Sequence, residues 1–545
     1  MKTFLGIDVG IRSARAAVFD EKGRLLGRAS ESIELFRPEE DFVEQSSSDI
    51  WRAIRVVIPS ALRAASLNAE TISGIGFDAT SSLVALDEDD NPVSVSPSSN
   101  DHQNVIAWMD RRATIEAEII NSRNDDVLRY LGGRISVEMQ IPKLLWIKRH
   151  LPLTWDRTAR YFDLPDYLTY RATGIDTRSH CSLVCKWTYL GHENQGRGAW
   201  SQSFFENMDL LELLDDNARR IGSDVRQLGG KVGPLTERAA AELGLVPGIA
   251  VGVSIIDAHA GGLGLLGLAE DEQLRQSFDD RLALVSGVSS CLLAVSAKPR
   301  FVPGVWGPHY SAMIPELWLN EAGQSASGTL IDHVIDSHAR GAELRRDAEF
   351  HGQTVYALLN DRLNALSMKA DFPAELTRDL HILPYHLGNR SPRADTTLRG
   401  MVSGLRLDDS VDQLALLYLA AIQAIAHGTR HIIETFNTHG YCVNVLAVTG
   451  PEAKNPVFLR EHADVTSCDL LLPESDEAVL LGAAMLGAAA AEAYPNLLAA
   501  MAGMSRIATR IAPGSAEVRQ YHDNKHRVFF RMYHDQQAYR TLMGG

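Results

Sequence analysis

Strand, tight polar turn, strand occurs twice in this chain, and that repeat limits the folds open to it. The first copy runs from Phe4-Leu5-Gly6-Ile7 through Asp8-Val9-Gly10-Ile11-Arg12-Ser13-Ala14-Arg15 into Ala16-Ala17-Val18-Phe19. A second turn at Asp20-Glu21-Lys22-Gly23-Arg24 leads to Leu25-Leu26, so the segment predicts three consecutive antiparallel strands. The second copy is Arg281-Leu282-Ala283-Leu284-Val285, then Ser286-Gly287-Val288-Ser289-Ser290, then Cys291-Leu292-Leu293-Ala294-Val295. A glycine-bearing turn lets backbone N–H groups approach a phosphate, an acid such as Asp8 can hold a metal-bound water, and Arg15 offers a charged fork. One such segment is equally an ordinary β-hairpin. Two in corresponding halves suit a duplicated fold that clamps a nucleotide between its lobes.

Between the two lies Ser254-Ile255-Ile256-Asp257-Ala258-His259-Ala260-Gly261-Gly262, a strand that delivers one acid into a run of small residues. Asp257 is the candidate base. Asn444-Val445-Leu446-Ala447-Val448-Thr449-Gly450 reads as a buried strand ending on glycine, and the Pro451-Glu452-Ala453-Lys454-Asn455-Pro456 that follows suits a nucleotide-contacting turn. Leu414, Leu417, Ala421, Ile425 and Ile432 recur at helical spacing over 414–437. Residues 478–491 are alanine-rich and follow the acidic helix start Glu474-Ser475-Asp476-Glu477, which predicts a buried helix rather than a membrane span. The aromatic, charged stretch 521–539 predicts another packed helix. The pattern is α/β, and with no low-complexity linker the internal echo sets a domain boundary near residue 265, giving halves 1–265 and 266–545.

A length of 545 residues calls for at least two domains. The net charge of −16 argues against nucleic acid or an anionic membrane as partner, so a phosphorylated ligand must be held by local cations and backbone donors. Five scattered cysteines point to a reducing compartment, the cytoplasm, rather than a disulfide framework. Met1-Lys2-Thr3 runs directly into a strand without the apolar core of a secretory signal. His427 and His431 stand one helical turn apart with no evident third ligand and read as a helix face. Cys181 and Cys185 lack a partner pair of Cys or His and do not read as a zinc site; His259 either tunes the candidate base or packs beside it.

Further motifs follow in a definite order: Gly76-Phe77-Asp78-Ala79-Thr80-Ser81, Asn104-Val105-Ile106-Ala107-Trp108-Met109-Asp110-Arg111-Arg112-Ala113, Asp163-Leu164-Pro165-Asp166-Tyr167-Leu168-Thr169 and Val184-Cys185-Lys186-Trp187-Thr188-Tyr189. Then come Glu321-Ala322-Gly323-Gln324-Ser325, His386-Leu387-Gly388-Asn389-Arg390-Ser391-Pro392 and Ala453-Lys454-Asn455-Pro456. With these the chain resembles the FGGY carbohydrate kinases over nearly its whole length, and within them the D-ribulokinase-like pentulose kinases. The resemblance implies two ribonuclease-H-like domains of actin/hexokinase type around a central cleft, with sugar on the N-terminal side and nucleotide mainly on the C-terminal side. It implies ATP and Mg2+ as cofactors, a small-molecule sugar as partner, and it admits a homodimer.

The implied reaction is transfer of the ATP γ-phosphoryl group to a primary hydroxyl of a pentulose, D-ribulose first, with xylulose, ribitol and arabitol behind it. Asp257 would accept the hydroxyl proton. Thr80, Ser81, Lys186, Asp257 and Glu321 would hold the sugar, with a structural salt bridge as the other reading of Lys186 and Glu321. Asp8 would position hydrated Mg2+. Gly10, Ser13, Arg15, Gly287, Ser289, Gly323, Gly450 and Asn455 would meet the nucleotide. Asp110 and Arg112 either shape the sugar pocket or brace the cleft.

Departures from the family pattern fall in the phosphate turns. Ile11 and Val288 stand where the family has threonines, Arg12 where a small residue is usual, and Pro451-Glu452 follow Gly450 where a second glycine is expected. Proline removes an N–H, and a glutamate near phosphates repels them. Hydrogen bonds to charged groups contribute roughly 1.5–3 kcal/mol each, so two lost hydroxyls would weaken nucleotide handling by about 3–6 kcal/mol unless Arg12 pairs with a phosphate. A sugar-binding or regulatory relative with an eroded ATP site is therefore a second reading. A nucleotide-driven chaperone or cytoskeletal ATPase, which shares the phosphate hairpins, is a third.

Overall fold

The computed structural model describes residues 2–268 and 278–544. Its first strands are the meander expected from the sequence. β1 (Thr3–Val9) pairs antiparallel with β2 (Ser13–Asp20), Asp8 opposite Arg15, and β2 pairs antiparallel with β3 (Leu25–Ser32). β4 (Ile72–Ala79) runs parallel to β1 on its other side, level at Asp8 and Asp78. β5 (Lys231–Pro234), β6 (Ala250–Gly252) and the short β7 (Ile255–Ile256) complete the sheet, with β6 and β7 parallel to β4. The order is β5-β6-β4-β1-β2-β3. Every residue of β1 is buried, as expected of a central strand covered on both faces.

The second large sheet repeats this wiring. β8 (Arg281–Ser286) and β9 (Ser290–Ser296) form the second hairpin; β10 (Trp306–Tyr310) and β11 (Trp318–Gln324) extend it on one side, and β12 (Val445–Thr449), β13 (Asp469–Pro473) and β14 (Ile507–Ile511) on the other. β8–β9 and β9–β11 are antiparallel while β8–β12 and β12–β13 are parallel, matching β1–β2, β2–β3, β1–β4 and β4–β6. The sequence echo covers only the hairpins because they alone keep similar turn chemistry. The remaining strands share topology without sharing residues.

The helices used below are α1 (Ser47–Ala65) on the face of β2 and β3, α2 (Leu164–Thr173), α3 (His180–Lys186), α4 (Asp257–Leu266), α5 (Val411–Thr438), α6 (Pro456–Thr466), α7 (Ala478–Ala490) and α8 (Ala516–Leu542). α5 brackets the predicted 414–437, starting from a Ser410 cap whose hydroxyl accepts the Gln413 N–H at 3.2 Å. Its most apolar window has a mean hydropathy of 1.2, long and apolar enough to cross a membrane, yet 78% of that window is buried inside the fold. It is a core helix, longer than the 478–491 run that the sequence singled out. α8 packs Phe529 and Met532 onto Leu383, Tyr385 and Leu398. His427 meets it through His526, Nδ1 to Nδ1 at 3.2 Å, which is the helix-face reading of that histidine.

α7 is the expected buried helix, with all of its residues but Val479 buried, and it belongs to neither half alone. It follows β13 in the chain but lies on β1 and β4, while α4 packs on α7 and on β8. The sheet offers α7 bare backbone. A methyl added at Gly6 would sit 2.0 Å from Leu480 O, one at Gly76 1.8 Å from Ala483 O, and one at Gly482 1.9 Å from Ala260 O. The acids before α7 do not cap it. The Glu477 carboxylate instead pairs with Arg15 at 3.0 Å and with Arg28, and Asp476 takes Arg28 at 3.3 Å and Lys454 at 3.1 Å.

Gly76→Ala is expected to destabilise the protein by at least about 1–3 kcal/mol, because the colliding atoms are backbone and cannot rotate away. Urea denaturation checks this; an unchanged midpoint would show that α7 can shift off the sheet freely.

Candidate active site

A cavity of about 490 Å³ opens between the two sheets. Both hairpin turns line it, through Gly10 and Ser13 on one side and Gly287 and Ser289 on the other, together with Asp8, Arg15, Thr80, Ser81, Lys186, Asp257 and Glu321. The register explains why the acids meet. Asp8 on β1 is level with Asp78 on β4, Asp78 is level with Ile255 on β7, and Asp257 is the first residue of the helix that follows β7. Parallel neighbouring strands thus deliver their acids to the crevice at their carboxyl ends.

Among the described residues Arg15 is the one cation that pairs directly with these acids. Its Nε donates to Asp8 Oδ2 at 2.7 Å and its Nη1 to Glu477 at 3.0 Å. Asp78 is fully buried, and neither of its carboxylate oxygens has a hydrogen-bond partner among the described residues. Burial first, and then the Asp8 charge, push the Asp78 carboxyl well above the usual carboxylate range. Burial and Asp8 likewise push Asp257 up to about 6, although its Oδ1 accepts the Ala258 N–H at 2.7 Å. Hard carboxylate oxygens, including the unpartnered pair on Asp78, are the donor set that suits Mg2+.

At the other end of the cavity Glu321 is held on both oxygens. Arg390 Nη2 donates to Oε1 at 2.6 Å and His259 Nε2 lies 3.1 Å from Oε2. Burial works against the Glu321 charge, but Lys186, His259 and Arg390 outweigh it and hold the group well below its ordinary value. The salt bridge that the sequence left open between Lys186 and Glu321 is made by Arg390 instead. Lys186 Nζ lies 4.4 Å over the Trp306 ring and donates no hydrogen bond among the described residues. Ser81 Oγ donates to Asp163 Oδ2 at 2.8 Å, an oxygen that also takes Gln140 Nε2 and Trp187 Nε1 at 2.9 Å each. Thr80 Oγ1 is 3.3 Å from Ser82 Oγ.

Residues 3–264 match the N-terminal domain of the FGGY family of carbohydrate kinases, and residues 282–491 match its C-terminal domain. The chain belongs to this family. A FGGY carbohydrate kinase domain-containing protein of Xenopus laevis is 46% identical over 548 residues, covering 99% of this chain and 98% of that one. A D-ribulokinase of Saccharomyces cerevisiae is 38% identical over 518 residues, covering 90% of this chain and 72% of its own. Among solved structures a xylulose kinase from Rhodospirillum rubrum superposes with a TM-score of 0.77 at 20% identity, over 99% of both chains, which shows the shared two-domain actin/hexokinase-type fold. The protein is an ATP-dependent carbohydrate kinase.

Within this FGGY kinase three residues expected at the nucleotide do not line the cavity, and each has another task. Gly323 sits on β11 opposite Cys291, where a methyl would come within 2.8 Å of Ser290 O. Gly450, at φ 109°, packs against β8, where a methyl would lie 1.8 Å from Ser286 O. Asn455 caps α6: its Oδ1 accepts the Val457 N–H at 3.1 Å and its Nδ2 donates to Tyr418 Oη at 2.6 Å. Conversely Trp108, Glu138 and Arg390 line the cavity without having been assigned there from sequence. Arg390 sits inside a quoted motif, which is the signal that could have found it.

The departures from the family pattern leave the turns intact. Gly10 N–H closes the first on Ser13 O at 2.9 Å, and in the second the N–H groups of Gly287, Val288 and Ser289 meet no backbone acceptor among the described residues. Val288 is 76% exposed at that tip. The Glu452 side chain lies against Gly328 beside the second turn, a methyl added at Gly328 falling 2.1 Å from its Oε1 and 2.9 Å from Gly287 O, and burial raises its pKa.

Asp110 and Arg112 brace the fold and do not line the cavity. Arg112 donates to Asp110 Oδ1 at 2.9 Å, Asp110 Oδ2 at 2.8 Å, Glu44 Oε1 at 2.7 Å and Val95 O at 2.7 Å, with all three charged side chains fully buried. Arg112→Ala would leave two buried carboxylates without their cation, an expected loss of about 3–5 kcal/mol in urea denaturation. A midpoint within about 1 kcal/mol of the parent would remove the brace from this account.

Proposed function

We propose that this kinase transfers the γ-phosphoryl group of Mg-ATP to a primary hydroxyl of a pentulose, with D-ribulose as the leading substrate. One arrangement carries the reading: Asp257 faces the same cavity as the hydroxyl-binding set Thr80, Ser81, Lys186 and Glu321 and the two phosphate-facing turns. The D-ribulokinase at 38% identity supports the choice of sugar.

Asp257 accepts the proton of the attacking hydroxyl. With its pKa near 6 it is largely ionised at neutral pH yet basic enough to take a proton as the phosphoryl bond forms. Lys186, which donates no hydrogen bond among the described residues, and Glu321, anchored by Arg390 and His259, offer a donor and an acceptor to sugar hydroxyls. Asp8, beside Asp78, would hold Mg2+, which supplies charge neutralisation on the phosphates. Gly10, Ser13, Gly287 and Ser289 present turn donors to them, and Arg12, exposed at the first turn and without an ion pair among the described residues, supplies charge where Ile11 lacks a hydroxyl. Such positioning accounts for most of the acceleration in phosphoryl transfer. The five cysteines are all free thiols, in keeping with a reducing cytoplasm. Val288 and Pro451 favour one second reading, a sugar-binding relative that has lost ATP turnover.

ADP release with Mg-ATP across ketopentoses and pentitols separates the two readings. Turnover with D-ribulose that falls about 10²–10⁴-fold in Asp257→Asn supports the kinase and its base. Sugar binding by calorimetry without turnover on any sugar supports the second reading.

The pH dependence follows from the same residue. A base is active unprotonated, so kcat/KM should climb about tenfold per pH unit below about 6 and level off above it. A flat profile from pH 5 to 8 would argue that Asp257 is not the base.

A further inference from the structure

Behind the Glu321 end of the cavity, two thiols that phosphoryl transfer does not use converge with the inner nitrogen of His259, whose outer nitrogen anchors Glu321. Cys181 and Cys185 stand one turn apart on α3, so both thiols leave the same face of that helix. His259 reaches them from α4, with Nδ1 3.1 Å from Cys181 Sγ, and one ligand atom from each of the three lies within 4.8 Å of the others. All three residues are buried. On the far side of the ring His259 Nε2 meets Glu321 Oε2 at 3.1 Å. That carboxylate fixes the imidazole with Nδ1 turned to the sulfurs, and a carboxylate on the outer nitrogen is how metal-bound histidines are oriented. Spacing alone could not show the site, because its third donor comes from a different helix.

We propose that Cys181, Cys185 and His259 form a binding site for a thiophilic divalent cation of the zinc class. A tetrahedral Zn2+ with sulfur at about 2.3 Å and nitrogen at about 2.0–2.1 Å needs neighbouring ligand atoms about 3.5–3.8 Å apart. The trio already brackets that range, so side-chain rotation closes it on an ion. The donor types decide which cation enters: two thiolates and an imidazole select zinc over magnesium, whereas the oxygen donors around Asp8 select the reverse. Binding exchanges two protons for the ion. Two neutral thiols lose both of theirs, or, where Cys181 has already passed its proton to His259, the Cys185 thiol and the imidazolium each lose one. The loaded centre carries two thiolates against two positive charges, and His259 keeps its Nε2 proton on Glu321. Three protein ligands leave the fourth corner to a water molecule. The ion ties α3, which ends at Lys186, to α4, which begins at Asp257, and so sits directly behind two residues of the cavity wall.

The test uses the full-length reduced protein carrying Cys442→Ser to remove its exposed thiol, with Co2+ as the spectroscopic probe and Zn2+ as competitor. Expected are one Co2+ per chain with thiolate-to-cobalt charge-transfer absorption, its displacement by Zn2+, and release of two protons in calorimetry across buffers. X-ray absorption of the zinc-loaded chain, which needs no change in the buried site, should show two sulfurs at about 2.3 Å. Cys181→Ser with Cys185→Ser should abolish the charge-transfer band. Glu321→Gln should keep the band and weaken binding about 10–100-fold, the signature of a partner outside the ligand shell. Failure to bind either ion, a zinc shell of nitrogen and oxygen alone, or a thiolate band that survives the double substitution would each overturn the proposal.

Discussion

The close approach of α7 to the backbone of β1 and β4 is the constraint on which the rest depends. A helix of alanine and glycine laid on sheet glycines brings main chain against main chain, and the Gly482 contact with Ala260 does the same between α7 and α4. Each half of the chain therefore completes the core of the other. The chemistry follows from that crossing. α4 starts at Asp257, α7 starts just after Glu477, and Glu477 holds Arg15, which holds Asp8. Spacing the helices farther apart would loosen the packing and pull Asp257 away from the first turn in the same motion.

The electrostatics of the cavity are deliberately incomplete. Around the first turn Asp8, Asp78 and Asp257 share one directly paired cation among the described residues, and burial makes the imbalance costly enough to lift the carboxyl groups of Asp78 and Asp257. At the other end the balance is reversed, with Glu321 facing Arg390, Lys186 and His259. One end of the cavity is thus left short of positive charge and the other is not, with no rigid partition between them.

The parts of this arrangement carried by local sequence were legible: both hairpins, the α/β pattern, the long helix at 411–438 and the acid at 257. The resemblance supplied Thr80, Ser81, Lys186 and Glu321, which do line the cavity. What was not legible depends on which residues meet across the fold. Asp78 was quoted within a motif without a role, because its importance comes from a register that sets it level with Asp8. The acids at 474–477 read as a helix start because acidic residues suit helix N-termini, but the helix meets two arginines from the other half and the ion pairs win. Gly450 and Asn455, expected at the nucleotide, also have structural tasks that the sequence did not show, close packing against β8 and a helix cap.

The altered phosphate turns show why a side-chain difference there carries less than its nominal weight. A hydroxyl on a turn adds one donor to a set that the backbone supplies regardless of sequence, and the second turn keeps three N–H groups without backbone acceptors among the described residues. Replacing threonine by Val288 removes the added donor and leaves the nest. Proline at 451 lies at the start of a 3-10 turn, where a missing N–H breaks no hydrogen bond of the turn. Glu452, the one change that brings a repelling charge, sets its carboxylate against Gly328 beside the second turn, where burial raises its pKa and so favours the neutral form. The backbone of these turns thus tolerates changes that a purely side-chain accounting would score as loss, and the residues that cannot change without moving strands are the glycines beneath them.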